Sequence, residues 1–253
     1  MLIKITDRCS MGCNHCLSDC TPNLCDMDFD TFIDSIEFHK KYCCFNGLLK
    51  PIIISGGEPT ESDIFMNVIR YLIDSEYCKN ISITITTNGL WISDNEWFVR
   101  DLKKYLPNCT LQVVVDDRYY PTHVNENSPT FNYDNVIICR DVMNIYPQGR
   151  ALKNNLPFRA KASKCFNIRA ITKQKINSSL SDILCTMTLS NFFCTPHIDI
   201  NGDIKLGESR LCPVCSSIYK TEREIINDIV NFQCHQCDFI NDKLPEIYKN
   251  FVK

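Results

Sequence analysis

The sequence predicts an α/β fold. A parallel sheet with helices outside it curls toward a full or partial barrel, and a small Cys-rich subdomain follows at the C-terminal end. Two observations predict this. Short apolar, β-rich runs alternate with amphipathic stretches through the first 140 residues. Such alternation with short connections is the mark of parallel sheets, and right-handed crossovers curl them. From about residue 185 onward, cysteines come in pairs and helical periodicity weakens. This divides the chain into a core at 1–184 and a metal-binding subdomain at 185–253. The 253 residues suit one large domain with a small appendage.

The elements follow in order. MLIKIT at 1–6 reads as the first strand, and a Cys-rich loop follows it. Residues 28–42 place Phe29, Phe32, Ile33, Ile36 and Phe38 at near-helical spacing. PIIIS at 51–55 is a short buried strand running into a Gly-Gly turn. Residues 61–77 carry Ile64, Phe65, Val68, Ile69 and Leu72 on one helical stripe. ISITITT at 81–87 is a strand ended by Asn88-Gly89. Asp94 suits the cap of a helix reaching about Tyr105, and LQVVV at 111–115 is the fourth strand. Strands at 135–139 and 156–172 continue the sheet, and a helix is expected at 221–232.

Composition narrows the function. The chain is 44% hydrophobic and 23% charged, ordinary for a globular protein. A net charge of −3 argues against holding nucleic acid through bulk charge. The 17 cysteines are an odd count, and the sequence has no signal-peptide pattern and no membrane-length apolar run. The expectation is a cytoplasmic protein with no membrane contact, whose cysteines bind metal or do chemistry.

Cys9, Cys13 and Cys16 have the spacing C-x3-C-x2-C. Three thiolates on a tight loop can ligate three irons of a four-iron cluster and leave the fourth open. A zinc site would need a fourth ligand such as His15 or Cys20. A loop of buried free thiols is the plain alternative. Position favours the cluster. The loop follows the first strand, at the face where barrel active sites gather. The next strands end in Gly56-Gly57-Glu58-Pro59, in Thr87-Asn88-Gly89 and in Asp116-Asp117. Glycines there let backbone groups approach a ligand closely.

These motifs, in this order over roughly residues 1–150, resemble the radical S-adenosylmethionine (SAM) superfamily. The resemblance implies a partial (β/α)6 TIM-like barrel holding a [4Fe-4S] cluster on Cys9, Cys13 and Cys16. It implies SAM on the open iron, with Gly56, Gly57 and Glu58 at its amino end, His15 and Asn88 as further contacts, and Asp116 or Asp117 facing the ribose or the substrate. Gln148-Gly149-Arg150-Ala151 resembles a Gly-Arg element of such enzymes, and a surface salt bridge explains Arg150 equally well. The implied reaction is reductive cleavage of SAM to a 5′-deoxyadenosyl radical, which abstracts hydrogen from a peptide or small-molecule substrate. An electron donor such as flavodoxin or ferredoxin is the implied partner. No domain precedes the first strand, so no leader-recognition module is expected. Tyr119, Tyr120 and His123 follow the fourth strand and either line the substrate cavity or pack under a loop, with packing favoured for Tyr120.

Cys212, Cys215, Cys234 and Cys237 make C-x2-C-x18-C-x2-C, which suits a four-Cys zinc site or an auxiliary Fe–S cluster. Cys165, Cys185 and Cys194 are spare ligands upstream. The run from Cys194 to Asp203 resembles the start of SPASM or twitch extensions. The match is partial, because Gly207 stands where that family has a cysteine. One auxiliary metal site is expected, with iron–sulfur favoured over zinc. The competing reading is a non-catalytic zinc- or Fe–S-binding module contacting nucleic acid or protein. No Lys/Arg stripe accompanies the cysteines to support it.

Overall fold

A computed structural model describes residues 1–45, 48–140, 145–146, 148–157, 179–189, 195–207 and 209–232. The first half runs β1 (Leu2–Thr6), α1 (Phe29–Tyr42), the hairpin β2 (Cys44–Phe45) and β3 (Leu48–Leu49), β4 (Ile52–Gly56), α2 (Phe65–Asp74) and α3 (Glu76–Lys79). It continues with β5 (Ile83–Thr87), α4 (Leu90–Ser93), α5 (Glu96–Tyr105), β6 (Cys109–Val115) and β7 (Val136–Arg140). Then come α6 (Gly149–Lys153), α7 (Leu180–Leu189), β8 (His197–Ile198), β9 (Asp203–Lys205), β10 (Val214–Ser217) and α8 (Glu222–Asn231).

The main sheet has the order β10-β9-β8-β1-β4-β5-β6-β7. Strands β8 through β7 in that order are parallel, while β9 and β10 are antiparallel. Among the described residues the sheet is open, with β7 and β10 at its two edges. This is the incomplete barrel expected from the sequence.

Alternation along the strands sets the two faces. Ile3, Ile5, Ile52, Ile54, Ile83, Ile85, Leu111 and Val113 are fully buried and share one core with α1, α2 and α5. Each such side chain contributes about 1.5–3 kcal/mol on burial. The other face mixes polar side chains with apolar ones such as Leu2 and Ile53. Register aligns Lys4 with Ser55 and Thr86 with Gln112. A parallel sheet covered by apolar groups on both faces reads as continuous hydrophobic runs. The threonines of ISITITT therefore mark a face reserved for something other than helix packing.

Several local expectations change. The stretch at 61–77 is not one helix. Pro59–Glu61 forms a 3₁₀ turn, and Ser75 separates α2 from α3 by adopting an extended conformation and capping Cys78 N–H at 3.3 Å. Asp94 closes α4 rather than starting α5, whose N-cap is Asn95. The cause is Gly89, whose φ of +83° starts a helical turn directly after β5. The expected strand at 156–172 lies outside the described residues from 158 onward. The helix expected at 221–232 is α8, opened by a capping box between Thr221 and Glu224. Strand β8 pairs with β1, so the C-terminal strands extend the main sheet. Among the described residues no helix is long and apolar enough to cross a membrane.

Candidate active site

The Cys-rich loop leaves β1 and returns to it. Its ends are joined by Asp7 N–H to Cys25 O (2.9 Å) and Met27 N–H to Ile5 O (2.9 Å). Asp26 accepts from Thr6 Oγ1 at 2.5 Å and from Arg8 Nη1 at 3.1 Å, and Arg8 also pairs with Asp63 at 3.0 Å. Within this frame Gly12 takes a φ of +68°, and Cys16 N–H bonds to Cys13 O at 3.2 Å.

Neighbouring elements grip the loop. Both Glu61 oxygens accept from Ser10 N–H, at 3.0 and 2.9 Å. Tyr119 O accepts from Asn14 N–H at 3.0 Å. From α6, Arg150 N–H donates to Cys16 O at 2.9 Å and its guanidinium donates to Cys20 O. Arg150 Nε also lies 3.3 Å from Asp19 Oδ1. Arg150 is thus a clamp on the cysteine loop, a third role beside the two its sequence context offered. Gly149 is required there: a Cβ would lie 2.6 Å from both Cys16 O and Leu17 O.

The end of β4 closes against the same loop. Gly57 N–H donates to Thr6 O and Glu58 N–H to Arg8 O, both at 2.8 Å. A Cβ on Gly57 would stand 2.1 Å from Arg8 O and 3.0 Å from Cys9 Cβ. One on Gly56 would stand 2.4 Å from Thr6 O. The glycines are therefore what brings the rim and the cysteine loop into contact.

Glu58 is buried and ties the next strand end to this rim. Its carboxylate accepts from Thr60 N–H (3.2 Å), Thr60 Oγ1 (2.7 Å), Thr87 Oγ1 (2.7 Å) and Asn88 N–H (2.7 Å). Burial raises its pKa against the pull of those donors. Asn88 Oδ1 accepts from Leu90 N–H at 2.9 Å, which fixes the turn into α4. Asp116 has a buried side chain that holds Arg118 through Nε (3.1 Å) and Nη2 (2.7 Å). Asp117 points outward, 3.3 Å from His123.

The thiols differ from one another. Burial pushes Cys9 up to about 11 and Cys13 up to about 12, and Cys13 feels the charge of both Cys9 and Cys16. Cys16 is lowered because the Cys20 thiol donates a hydrogen bond to it, and Cys20 is raised by the same bond. The His15 ring lies 5.2 Å from Tyr119 and is stacked on Tyr120 at 5.6 Å. Its buried Nδ1 has no hydrogen-bond partner, and burial lowers its pKa, which keeps the ring neutral at pH 7. Tyr120 is raised by burial, then by the charges of Cys13, Glu58, Cys9 and Asp116. It is half-buried.

Among the described residues, no three or more His, Cys, Asp or Glu side chains gather as ligands of a single metal ion. In the C-terminal pair, Cys215 is buried on β10 with its pKa pushed up to about 12 by burial, and Cys212 is half-buried. Cys165, Cys194, Cys234 and Cys237 lie outside the described residues.

Sequence reading missed the residues that grip the loop: Arg8, Asp26, Glu61, Ser209 and Arg210. None carries a local signal, because each acts across a long sequence separation. The polar row Lys4, Ser55, Thr86 and Gln112 did carry one, in the Ile/Thr alternation of β5.

No family model matches the chain, and no curated protein matches it in sequence. Solved structures do. Streptococcus suis SuiB bound to S-adenosylmethionine is similar with a TM-score of 0.53 and 16% identity, over 92% of this chain and 65% of that one. Native anSMEcpe with bound AdoMet and Cp18Cys peptide has a TM-score of 0.40 and 13% identity, over 94% and 84% of the two chains. Streptococcus suis SuiB bound to precursor peptide SuiA has a TM-score of 0.40 and 16% identity, over 92% and 66%. The chain is an open parallel β/α protein. More narrowly, it shares its fold with Streptococcus suis SuiB, and it spans 65% of the length of that SuiB chain.

Proposed function

We propose that the chain is a radical SAM enzyme, with a [4Fe-4S] cluster on Cys9, Cys13 and Cys16 and SAM against the rim formed by Gly56, Gly57 and Glu58. One observation carries this reading. The glycine rim of β4 abuts the cysteine loop so closely that a single methyl on Gly57 would strike Arg8 and Cys9. The donor set fits the group. It offers three thiols on one loop, one already favoured as thiolate, beside backbone that has no side chain in the way.

A cluster held by Cys9, Cys13 and Cys16 would, when bound, supply the one-electron reduction that opens SAM to hydrogen-abstraction chemistry. The chain's own residues orient and shield. Glu58 locks the ends of β4 and β5 together, and Glu58 Oε2, which accepts from Asn88 N–H at 2.7 Å, has acceptor capacity left for the SAM ammonium. His15, neutral and stacked on Tyr120, offers an aromatic face and an unused ring nitrogen to the adenine. Asp116 holds Arg118 at the rim, where the ribose or substrate would pass. The half-buried Ser55, Thr86 and Gln112 on one face of the sheet suit a hydrogen-bonding substrate, either a peptide or a small polar molecule. A flavodoxin or ferredoxin is the proposed electron donor. The C-terminal cysteines are proposed to hold one auxiliary metal site, part of a partial SPASM/twitch-like extension.

The test is direct. Anaerobically reconstituted protein with SAM and dithionite should yield 5′-deoxyadenosine, and Cys13→Ala should not. A colourless protein that binds only zinc and leaves SAM intact would overturn the proposal.

A further inference from the structure

We propose that the Ser209–Arg210 turn is a positioning element that holds the Cys16 corner of the cysteine loop. Three consecutive carbonyls directly after Cys16 are taken by this turn. Ser209 Oγ donates to Leu17 O at 2.8 Å, Arg210 Nε to Ser18 O at 2.6 Å, and Arg210 Nη2 to Asp19 O at 3.5 Å. Arg210 N–H adds a bond to Ser18 Oγ at 3.2 Å. Ser209 is fully buried.

The turn is itself anchored. Lys205 Nζ on β9 donates to Arg210 O at 2.9 Å and pairs with Asp199 at 2.9 Å. Lys4 on β1 reaches the same Ser18 Oγ from below, at 3.3 Å. On the opposite side, Arg150 takes Cys16 O and Cys20 O. The peptides that carry Cys16 and Cys20 are therefore held between α6 and a turn nearly two hundred residues downstream. Fixing consecutive peptide planes fixes the direction of the Cys16 side chain. A ligand held off its productive direction loses affinity even when its chemistry is intact. The same turn ends at Cys212, whose N–H bonds to Ser209 O at 3.0 Å, so the C-terminal cysteine pair is joined mechanically to the first loop.

What Cys16 holds rests on the radical SAM reading; the lock itself does not. The test uses the full chain with Arg210→Ala, Ser209→Ala and the conservative Arg210→Lys. In the metal-free protein, amide exchange in a peptide spanning 14–20 should quicken about tenfold in Arg210→Ala while β5 and β6 stay protected. In anaerobically reconstituted protein, a chelator should strip iron about tenfold faster from Arg210→Ala. The change that SAM causes in the electron paramagnetic resonance spectrum of the reduced protein should be lost in Arg210→Ala. Arg210→Lys, which keeps one donor for Ser18 O, should restore part of it. If Arg210→Ala fails to fold, Ser209→Ala carries the same readouts through the loss of two bonds, Ser209 Oγ to Leu17 O at 2.8 Å and Leu211 N–H to Ser209 Oγ at 3.1 Å. Exchange at 14–20 within about twofold of wild type in a folded variant would overturn the proposal. A wild type that holds no iron but shows the exchange effect would instead leave the lock standing and defeat the radical SAM reading.

Discussion

Gly57→Ala is the sharpest perturbation of the site. The added Cβ would lie 2.1 Å from Arg8 O, 2.7 Å from Arg8 C and 3.0 Å from Cys9 Cβ. Carbon and oxygen in close non-bonded contact stand about 3.3–3.6 Å apart, so Arg8 must retreat by more than about 1 Å. Overpacking of this kind costs about 1–3 kcal/mol. The retreat also strains two hydrogen bonds, Gly57 N–H to Thr6 O and Glu58 N–H to Arg8 O, both at 2.8 Å. Each contributes about 0.5–1.5 kcal/mol net. The sum is about 2–6 kcal/mol, and a chain of this size loses about 2–4 °C of Tm per kcal/mol. Gly12→Ala is the control. There φ is +68° but the nearest atom is 3.5 Å away, so only the backbone penalty of about 1–2 kcal/mol applies. Thermal melts of both variants, with iron and sulfide per chain after reconstitution, check the difference. Gly57→Ala should melt lower than Gly12→Ala and lose iron. A Gly57→Ala protein as stable and as iron-rich as wild type would refute the contact between rim and loop.

Other outcomes follow from the same geometry. Glu58→Gln places an amide N–H₂ where the carboxylate accepts from Thr60, Thr87 and Asn88, and should cost about 1–3 kcal/mol in urea unfolding. An unchanged midpoint would show that Glu58 does not tie the strand ends. His39 and His197 are fully buried, and burial lowers their pKa values, His39 to about 3 and His197 well below the usual range. Both native values lie below the unfolded value of about 6.5, so the unfolded chain takes up protons first as pH falls. Stability from these groups is intact above about pH 6.5 and falls toward pH 3, by up to about 1.4 kcal/mol per pH unit for each. His39→Gln should make the decline between pH 7 and pH 5 shallower in urea titrations. A slope equal to wild type would contradict the neutral buried form.

Much of this was legible in the sequence, for physical reasons. Strand periodicity in ISITITT and PIIIS follows from which side of a pleat each residue faces, and β4 and β5 lie within two residues of where the pattern places them. The Cys loop and the Gly-Gly rim were legible because their spacing and their place after successive strands are local facts. Long-range partners were not. Nothing near Arg210 announces that it meets Ser18, and nothing in Glu61 points to Ser10. The sequence around Arg150 offers a ligand contact or an ion pair, but not its bonds to Cys16 O and Cys20 O, which grip the cysteine loop. The split between α2 and α3 was hidden because Ser75 is tolerated inside a helix and only its capping bond shows that it breaks one.

The central claim is that Cys9, Cys13 and Cys16 together hold a cluster with one iron left for SAM. Anaerobic iron and sulfide analysis beside 5′-deoxyadenosine production, on wild type and on a Cys9→Ala/Cys13→Ala/Cys16→Ala variant, measures it most directly. The account predicts about four iron and four sulfide per wild-type chain beyond whatever the variant retains, with 5′-deoxyadenosine made by the wild type alone. Equal iron in both proteins, or SAM left whole by an iron-loaded wild type, would contradict it.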